Sequence, residues 1–154
     1  MACTMSHDPQ EWSSWDPSHE EAQIHKTMNK QIISTVQAPS AIGPYSQAVR
    51  AGNMLFVSGQ IPTDPSTGVL IEDKSIQAQT RRVLQNLLAI VEAAGGSAQS
   101  VVKTTVFLKS MDDFAEMNAV YSTFFSSAPP ARATVEAARL PRDVSIEIDC
   151  IAVI

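Results

Sequence analysis

The chain has 154 residues, 44% of them apolar and 18% charged, which is enough apolar material for one packed core and too little charge for a wholly disordered chain. Its net charge of -5 is concentrated near the N-terminus, where residues 1–29 hold five acids and one base, whereas the remainder is nearly balanced with eleven acids and ten bases. A nearly neutral remainder excludes the clustered basic surface that nucleic-acid binding normally requires, so nucleic acid is not an expected partner.

The cysteines and the N-terminal segment bear on the cellular compartment. Cys3 lies in the acidic segment and Cys150 in a predicted buried strand, so a disulfide framework is not expected. No apolar run approaches the roughly 20 residues of a membrane span. The N-terminus lacks the apolar core of a secretory signal, and it is too acidic for a typical mitochondrial transit peptide. We therefore expect a cytoplasmic protein without membrane association.

Residues 1–29 are predicted to form an acidic, flexible extension, and residues 30–154 a single domain. The first segment is polar, contains Pro9 and Pro17, and shows no sustained helical or strand period. It also contains all three histidines, His7, His19 and His25. The predicted domain therefore offers no residue for a Ser/His/Asp triad or a Cys/His dyad, and most zinc sites are excluded from it as well.

Regular patterns begin at residue 31. A short strand is predicted over residues 32–36, and a hairpin over residues 46–50 and 54–58 around Ala51-Gly52-Asn53. Apolar residues then recur at three- and four-residue spacings between residues 76 and 94, which predicts an amphipathic helix with Ser75 as its N-cap.

The second half of the chain alternates strand and helix. Residues 101–109 are rich in β-branched side chains and predict a strand, and a second helix is predicted from Asp112 or Asp113 up to Pro129-Pro130. Two strands, starting at Ala131 and Val144, follow and are predicted to form a hairpin around the turn-like sequence RLPRD. This order predicts an α+β fold in which both helices cover one face of a mixed sheet.

The predicted strands carry apolar residues on both faces. In the last strand Ile151 and Val153 point away from Cys150 and Ala152, and in the strand at 101–109 Val101 and Phe107 are expected to share one face and to point away from Val106 and Leu108. Two helices cannot easily cover both faces of such a sheet. We therefore expect a homo-oligomer in which another copy covers the second face.

Arg132 and Glu147 are the first candidate site residues. They lie at similar distances from Leu140, so a tight hairpin would bring them opposite each other or within one pair of it. Spacing alone leaves two interpretations open: a structural ion pair, or a carboxylate-binding arginine facing a reactive carboxylate.

Three more positions are ambiguous by themselves. Tyr45 follows the rigid Gly43-Pro44 turn, where it can close a pocket or belong to the core. Gly59 ends a predicted strand, where glycine permits an unusual backbone angle or lets a ligand approach the backbone. Asn118 lies beside the apolar stripe of the second helix, at a surface or an interface.

Four segments in order, APSAIGPYSQAV (38–49), FVSGQIP (56–62), VVKTTVFLKSMDDFAEMNAVYSTFF (101–125) and PPARATVEAARLPRDVSIEIDCIAV (129–153), closely resemble the reactive intermediate deaminase (Rid, or YjgF) family. The resemblance implies a chorismate-mutase-like α+β fold assembled as a homotrimer, with sites in the clefts between subunits. It implies hydrolysis of enamines and imines, such as 2-aminoacrylate (2-iminopropanoate) and 2-iminobutanoate, to 2-keto acids and ammonia. It implies no metal and no organic cofactor.

The resemblance also assigns roles to residues. It matches Arg132 to the family's carboxylate-binding arginine and Glu147 to the acid associated with the hydrolytic water. It places Tyr45, Gly59 and Asn118 in the substrate pocket.

One pocket position departs from the family pattern. Thr134 stands where many relatives have cysteine, so the position is expected to act through its backbone N–H. Two alternatives stay open: a non-catalytic, small-carboxylate-binding or chaperone-like trimer that uses the same pocket, and an RNA-cleaving translation inhibitor.

Overall fold

The computed structural model describes residues 30–154, so the predicted extension, with its histidines and Cys3, lies outside the described residues. The described part contains six strands and two α-helices. The strands are β1 (Lys30–Ile33), β2 (Ala48–Ala51), β3 (Met54–Gln60), β4 (Val101–Leu108), β5 (Ala131–Glu136) and β6 (Ile146–Val153). The helices are α1 (Ile76–Ala93) and α2 (Phe114–Phe124). Neither helix is long and apolar enough to cross a membrane.

The strands form one sheet in the order β1-β2-β3-β6-β4-β5. β6 is antiparallel to both of its neighbours, so β3 and β4 run in the same direction on either side of it. β5 is parallel to β4 and lies at the edge. The helix α1 connects β3 to β4, and α2 connects β4 to β5, because parallel strands need a long crossover connection. The predicted mixed sheet is therefore confirmed.

The core lies between the sheet and the two helices. Along β6 every second side chain is buried, and these residues are Ile146, Ile148, Cys150 and Ala152. α1 covers this face with the fully buried Leu84, Leu87 and Ile90. It begins where the sequence predicts, since the Ser75 hydroxyl accepts a hydrogen bond from the backbone N–H of Ala78 at 3.3 Å.

The predicted hairpin between the last two strands is wrong. β4 lies between β5 and β6, and the RLPRD segment forms a 3₁₀ turn over Pro141–Asp143 instead of a tight β-turn. The physical reason lies in the two sequences. β6 carries buried or half-buried side chains on both faces at nearly every position and takes a central place, whereas β5 is half-buried or exposed throughout and takes the edge.

Two smaller expectations also need correction. β1 ends at Ile33, three residues before the predicted end. A β-bulge separates Val101 from Lys103, so Val101 is buried with the helices, and Val102 is exposed instead. Val101 therefore does not share a face with Phe107, as period-two alternation alone predicts.

The face opposite the helices carries an apolar row across four neighbouring strands. Its residues are paired in register from Ile32 through Val49 and Phe56 to Ile151. Ile32 is 54% exposed and Phe56 44% exposed in the single chain. This face, which we call the outer face, is the one that the sequence predicts to be covered by another copy.

Truncation of the core tests the packing of α1 on the sheet. Leu84→Ala is expected to lower the free energy of unfolding by about 2–5 kcal/mol, because it removes buried methyl groups and leaves a cavity. The neighbouring Gln85 is exposed, so Gln85→Ala is expected to change it by less than about 0.5 kcal/mol. Urea titrations at one fixed protein concentration measure both. Equal losses would contradict the burial of this helix face.

Candidate active site

Glu147 lies against Gly59 on the outer face. A Cβ atom placed on Gly59 would overlap the carboxylate of Glu147 and would lie 2.9 Å from its Cδ and 3.1 Å from its Cγ. The glycine is therefore required by this close approach. The sequence predicts an unusual backbone angle or the approach of a ligand at Gly59, whereas the neighbour in the single chain is the side chain of Glu147.

A bulge between β3 and β6 forms this contact. Val57 pairs with Cys150 and Gln60 with Ile148, so Ser58 and Gly59 together oppose the single residue Asp149. Bulges of this kind re-aim side chains and interrupt regular pairing. Here the bulge brings the backbone of Gly59 beside the side chain of Glu147.

Glu147 is half-buried, and Asp149 lies two residues further along the same face of β6. Burial raises the pKa of the Glu147 carboxyl above its ordinary value of 4.5, and the negative charge of Asp149 raises it further. Both effects disfavour the ionised form. A carboxyl group with a raised pKa is suited to both accepting and donating a proton nearer to neutral pH.

Arg132 lies on the other face of the sheet, against α2. The central carbon of its guanidinium is 4.6 Å from the centre of the Tyr121 ring and 5.7 Å from the centre of the Phe114 ring. Contacts at these distances are cation–π interactions that hold the flat guanidinium while its edge can still donate hydrogen bonds. The only ion pair in residues 30–154 joins Arg139 and Asp143, so Arg132 has no carboxylate partner there.

Thr134 and Asn118 lie on the same side of the sheet as Arg132. Thr134 is two residues after Arg132 on β5, and its hydroxyl is buried with no hydrogen-bond partner among residues 30–154. Asn118 is four residues after Phe114 and three before Tyr121, which places it on the same side of α2 as the two rings.

Tyr45 occupies a third place. It is 51% exposed, and its hydroxyl accepts a hydrogen bond from the backbone N–H of Ile42 at 3.3 Å. It lines a cavity of about 390 Å³ between β1 and the loop before β2, together with Ile33 and Gln47. Neither Arg132 nor Glu147 lines this cavity.

The single chain thus groups the six candidate residues into three places. Gly59 and Glu147 are on the outer face, Arg132 with Thr134 and Asn118 is on the helix side, and Tyr45 is apart from both. The expectation that Arg132 faces Glu147 across a hairpin is wrong, because Arg132 pairs with Thr104 on β4 and Glu147 with Phe107 on β4. Since Thr104 and Phe107 point to opposite faces, so do Arg132 and Glu147.

Sequence reasoning missed three neighbours of the site. The apolar spacing of the second helix gives Tyr121 and Phe114 no role beyond packing, yet their rings contact the guanidinium of Arg132. The Tyr121 hydroxyl lies 2.7 Å from the buried Thr104 hydroxyl, which fixes the ring. Asp149 was also missed, although its two-residue spacing from Glu147 on a predicted strand was a readable signal.

In the part of the chain that the structure describes, no group of three or more His, Cys, Asp or Glu side chains converges to hold a metal ion.

Comparisons with known proteins give close matches over most of the described region. Residues 35–154 match the family model described as Endoribonuclease L-PSP. A RutC family protein of Pyrococcus horikoshii is 56% identical over 123 residues, which cover 80% of this chain and 97% of the relative. A Salmonella typhimurium protein named 2-iminobutanoate/2-iminopropanoate deaminase is 55% identical over 124 residues, covering 79% and 95%. The crystal structure of Escherichia coli TdcF with bound serine has a TM-score of 0.76 at 49% identity, covering 80% and 98%.

The fold and these matches define an α+β protein of the YjgF type, with a mixed sheet and two helices on one face. The chain belongs to the Endoribonuclease L-PSP family, also called the YjgF or Rid family. The family resemblance and the chorismate-mutase-like fold predicted from the sequence are therefore confirmed.

The environment of Glu147 can be tested by titration. Asp149→Asn is expected to lower the pKa of Glu147 while leaving it above 4.5, because the substitution removes the second cause of the shift and leaves burial, the larger cause. The midpoint of the Glu147 titration is measured by carboxyl ¹³C NMR from about pH 3 to about pH 8, a range that includes ordinary and raised carboxyl pKa values. Asp112→Asn, at an exposed position, is the matched control. An unchanged midpoint in Asp149→Asn would show that the two carboxylates do not interact.

Proposed function

We propose that this protein is a hydrolytic deaminase of reactive enamine and imine intermediates, such as 2-aminoacrylate (2-iminopropanoate) and 2-iminobutanoate. The observation that carries the proposal is Arg132, a half-buried guanidinium held on two aromatic rings without a carboxylate partner in residues 30–154. Such a group is suited to bind a substrate carboxylate through two parallel hydrogen bonds. The name of the Salmonella typhimurium relative, at 55% identity, supports the same reaction.

We further propose that the active site forms between subunits of a homotrimer. Within one chain Arg132 and Glu147 lie on opposite faces of the sheet, so one small substrate cannot contact both of them there. β5 is an edge strand, which leaves Arg132 close to the boundary of the chain. The apolar row on the outer face supplies a surface for a second copy, whose Arg132 can then approach the Glu147 side of the first.

In this site the substrate carboxylate binds Arg132, which fixes the position of the imine carbon. Backbone N–H groups at Gly59 and Thr134 are proposed to bind the same carboxylate. Asn118 and Tyr45 complete the pocket walls. The flat contact of Arg132 with Tyr121 limits the directions in which the guanidinium can donate, so it also orients the substrate.

Glu147 then acts on water. The substrate reacts as its protonated iminium form, and the Glu147 carboxylate accepts a proton as the water oxygen attacks the imine carbon, which gives a neutral carbinolamine with one hydroxyl and one amino group. Glu147 returns this proton to the nitrogen, so that the C–N bond breaks and ammonia leaves. The hydroxyl group gives its proton to Glu147 as the carbonyl of the 2-keto acid forms, and Glu147 then releases that proton to solvent. The raised pKa of Glu147 suits both proton transfers.

Substitutions at the two charged residues separate binding from chemistry. Arg132→Ala is expected to lower kcat/KM by about 10²-fold or more, because charge-assisted hydrogen bonds to the substrate are lost. Glu147→Gln is expected to lower kcat by about 10²–10⁴-fold while substrate-analogue affinity is retained. The assay follows keto acid released from 2-aminoacrylate that an amino-acid dehydratase generates.

Arg81→Gln is the matched control, since Arg81 is exposed on α1 and away from the site. Full activity in Arg132→Ala would refute the mechanism. Retained affinity and retained turnover in Glu147→Gln would assign water activation to another group. If the wild type binds the analogue and does not accelerate keto acid release, the protein is a non-catalytic carboxylate binder. A parallel incubation with RNA tests the cleavage activity to which the family name refers.

The assembly has a separate test. Multi-angle light scattering at micromolar concentration is expected to give a mass of three chains, and Phe56→Glu is expected to shift it toward one chain by placing a charge in the apolar row. Gln85→Glu introduces the same charge on exposed α1 and is expected to leave the trimer intact. A wild-type mass equal to one chain would overturn the inter-subunit site.

A further inference from the structure

A second cavity, of about 280 Å³, contains none of the six candidate site residues. It forms where the end of β4, the start of α1 and the turn before β6 meet. Three basic residues from three different segments line it, and they are Lys74, Lys109 and Arg142. Asp143 is the only acidic residue in the lining.

The negative charge of Asp143 is already balanced. Arg139 donates two hydrogen bonds to its carboxylate, at 2.7 Å and 3.0 Å. The pKa of Asp143 is lowered first by this hydrogen bond from Arg139 and, more weakly, by the positive charge of Lys109. The three lining cations therefore leave the cavity with a net positive charge, which favours an anionic ligand.

The buried side-chain amide of Gln79 connects the segments that form the cavity wall. The side-chain N–H₂ of Gln79 donates to the carbonyl oxygen of Lys74 at 3.0 Å and to the hydroxyl of Ser145 at 3.4 Å, while its oxygen accepts from the backbone N–H of Ser145 at 2.9 Å. The backbone N–H of Lys109 donates to the carbonyl oxygen of Ser145 at 2.9 Å. This network fixes the backbones of Lys74, Lys109 and Ser145 relative to one another and leaves the hydroxyl hydrogen of Ser145 available to a ligand.

The turn that carries the third cation has an unusual backbone. Arg142 and Asp143 are consecutive non-glycine residues with positive φ angles of 57° and 58°. Leu140 and Val144 on either side are buried and hold both ends of the turn. Non-glycine residues in this region are uncommon, and they concentrate at ligand-binding sites, where the surrounding structure enforces them.

We infer that this cavity binds a small phosphate-type oxyanion. Basic residues contributed by three segments match a multiply charged anion with oxygens in several directions better than a carboxylate, whose two oxygens lie in one plane. The volume lies just below the usual range of roughly 300–1,000 Å³ for ligand pockets, which restricts the ligand to a small one. This inference does not rest on the proposed deaminase activity.

Isothermal titration calorimetry of the full chain, at constant ionic strength in a chloride buffer, tests the inference. The probes are inorganic phosphate, glycerol 3-phosphate and acetate. We expect saturable binding of at least one phosphate probe and no comparable binding of acetate. The double variant Lys109→Gln/Arg142→Gln is expected to weaken that binding about tenfold or more. Arg81→Gln, which removes a cation outside the cavity, is expected to change it less than about twofold.

Each contrary outcome overturns the inference. Absence of saturable phosphate binding does so, as does unchanged affinity in the double variant when its thermal melting matches the wild type. Equal affinity for acetate excludes selection of a multiply charged anion. Loss of phosphate binding in Arg132→Ala, with retention in the double variant, moves the anion to the proposed substrate site. If only one phosphate probe binds, that result identifies the source of the phosphate group and supports the inference.

Discussion

The alternation of side chains along β6 is the constraint on which the site depends. Ile146 and Ile148 point into the core beneath α1, so Glu147 between them must point to the outer face. β6 is hydrogen-bonded to a strand on each side, and it cannot slip by one residue without exposing its buried side chains and burying a carboxylate. The packing of the core therefore determines the face on which Glu147 lies, and the bulge at Gly59 provides the space that its carboxylate occupies.

The two charged groups of the proposed site are incompletely balanced within residues 30–154. Arg132 has aromatic neighbours and no carboxylate partner, and Glu147 has an acidic neighbour, Asp149, and no basic partner. A substrate with a carboxylate at one end and an imine nitrogen at the other complements both groups. Uncatalysed imine hydrolysis is already feasible, so a site that orients the substrate and one water has only a modest barrier to lower.

The cationic cavity is formed by interactions that differ from those around Arg132. The backbone that carries its basic side chains is held by a buried glutamine and by a turn with positive φ angles, whereas the guanidinium of Arg132 packs on aromatic rings. Ser145 in the cavity wall is two residues before Glu147 on the same chain segment. The two places therefore share a structural support while their lining residues differ, which is why variants of one can serve as controls for the other.

Local signals in the sequence determined α1, with its cap at Ser75, and the hairpin of β2 and β3, because hydrophobic period and turn residues act over a few positions. The ordered motifs determined the family and named the candidate residues. Tertiary structure alone decided that β4 separates β5 from β6 and that Arg132 and Glu147 lie on opposite faces of the sheet. It also decided that the guanidinium of Arg132 packs against the Tyr121 ring. Strand order depends on which strands can be buried on both faces. Segments that are distant in the sequence compete for the central positions of the sheet, so the spacing of residues within one segment does not predict the order.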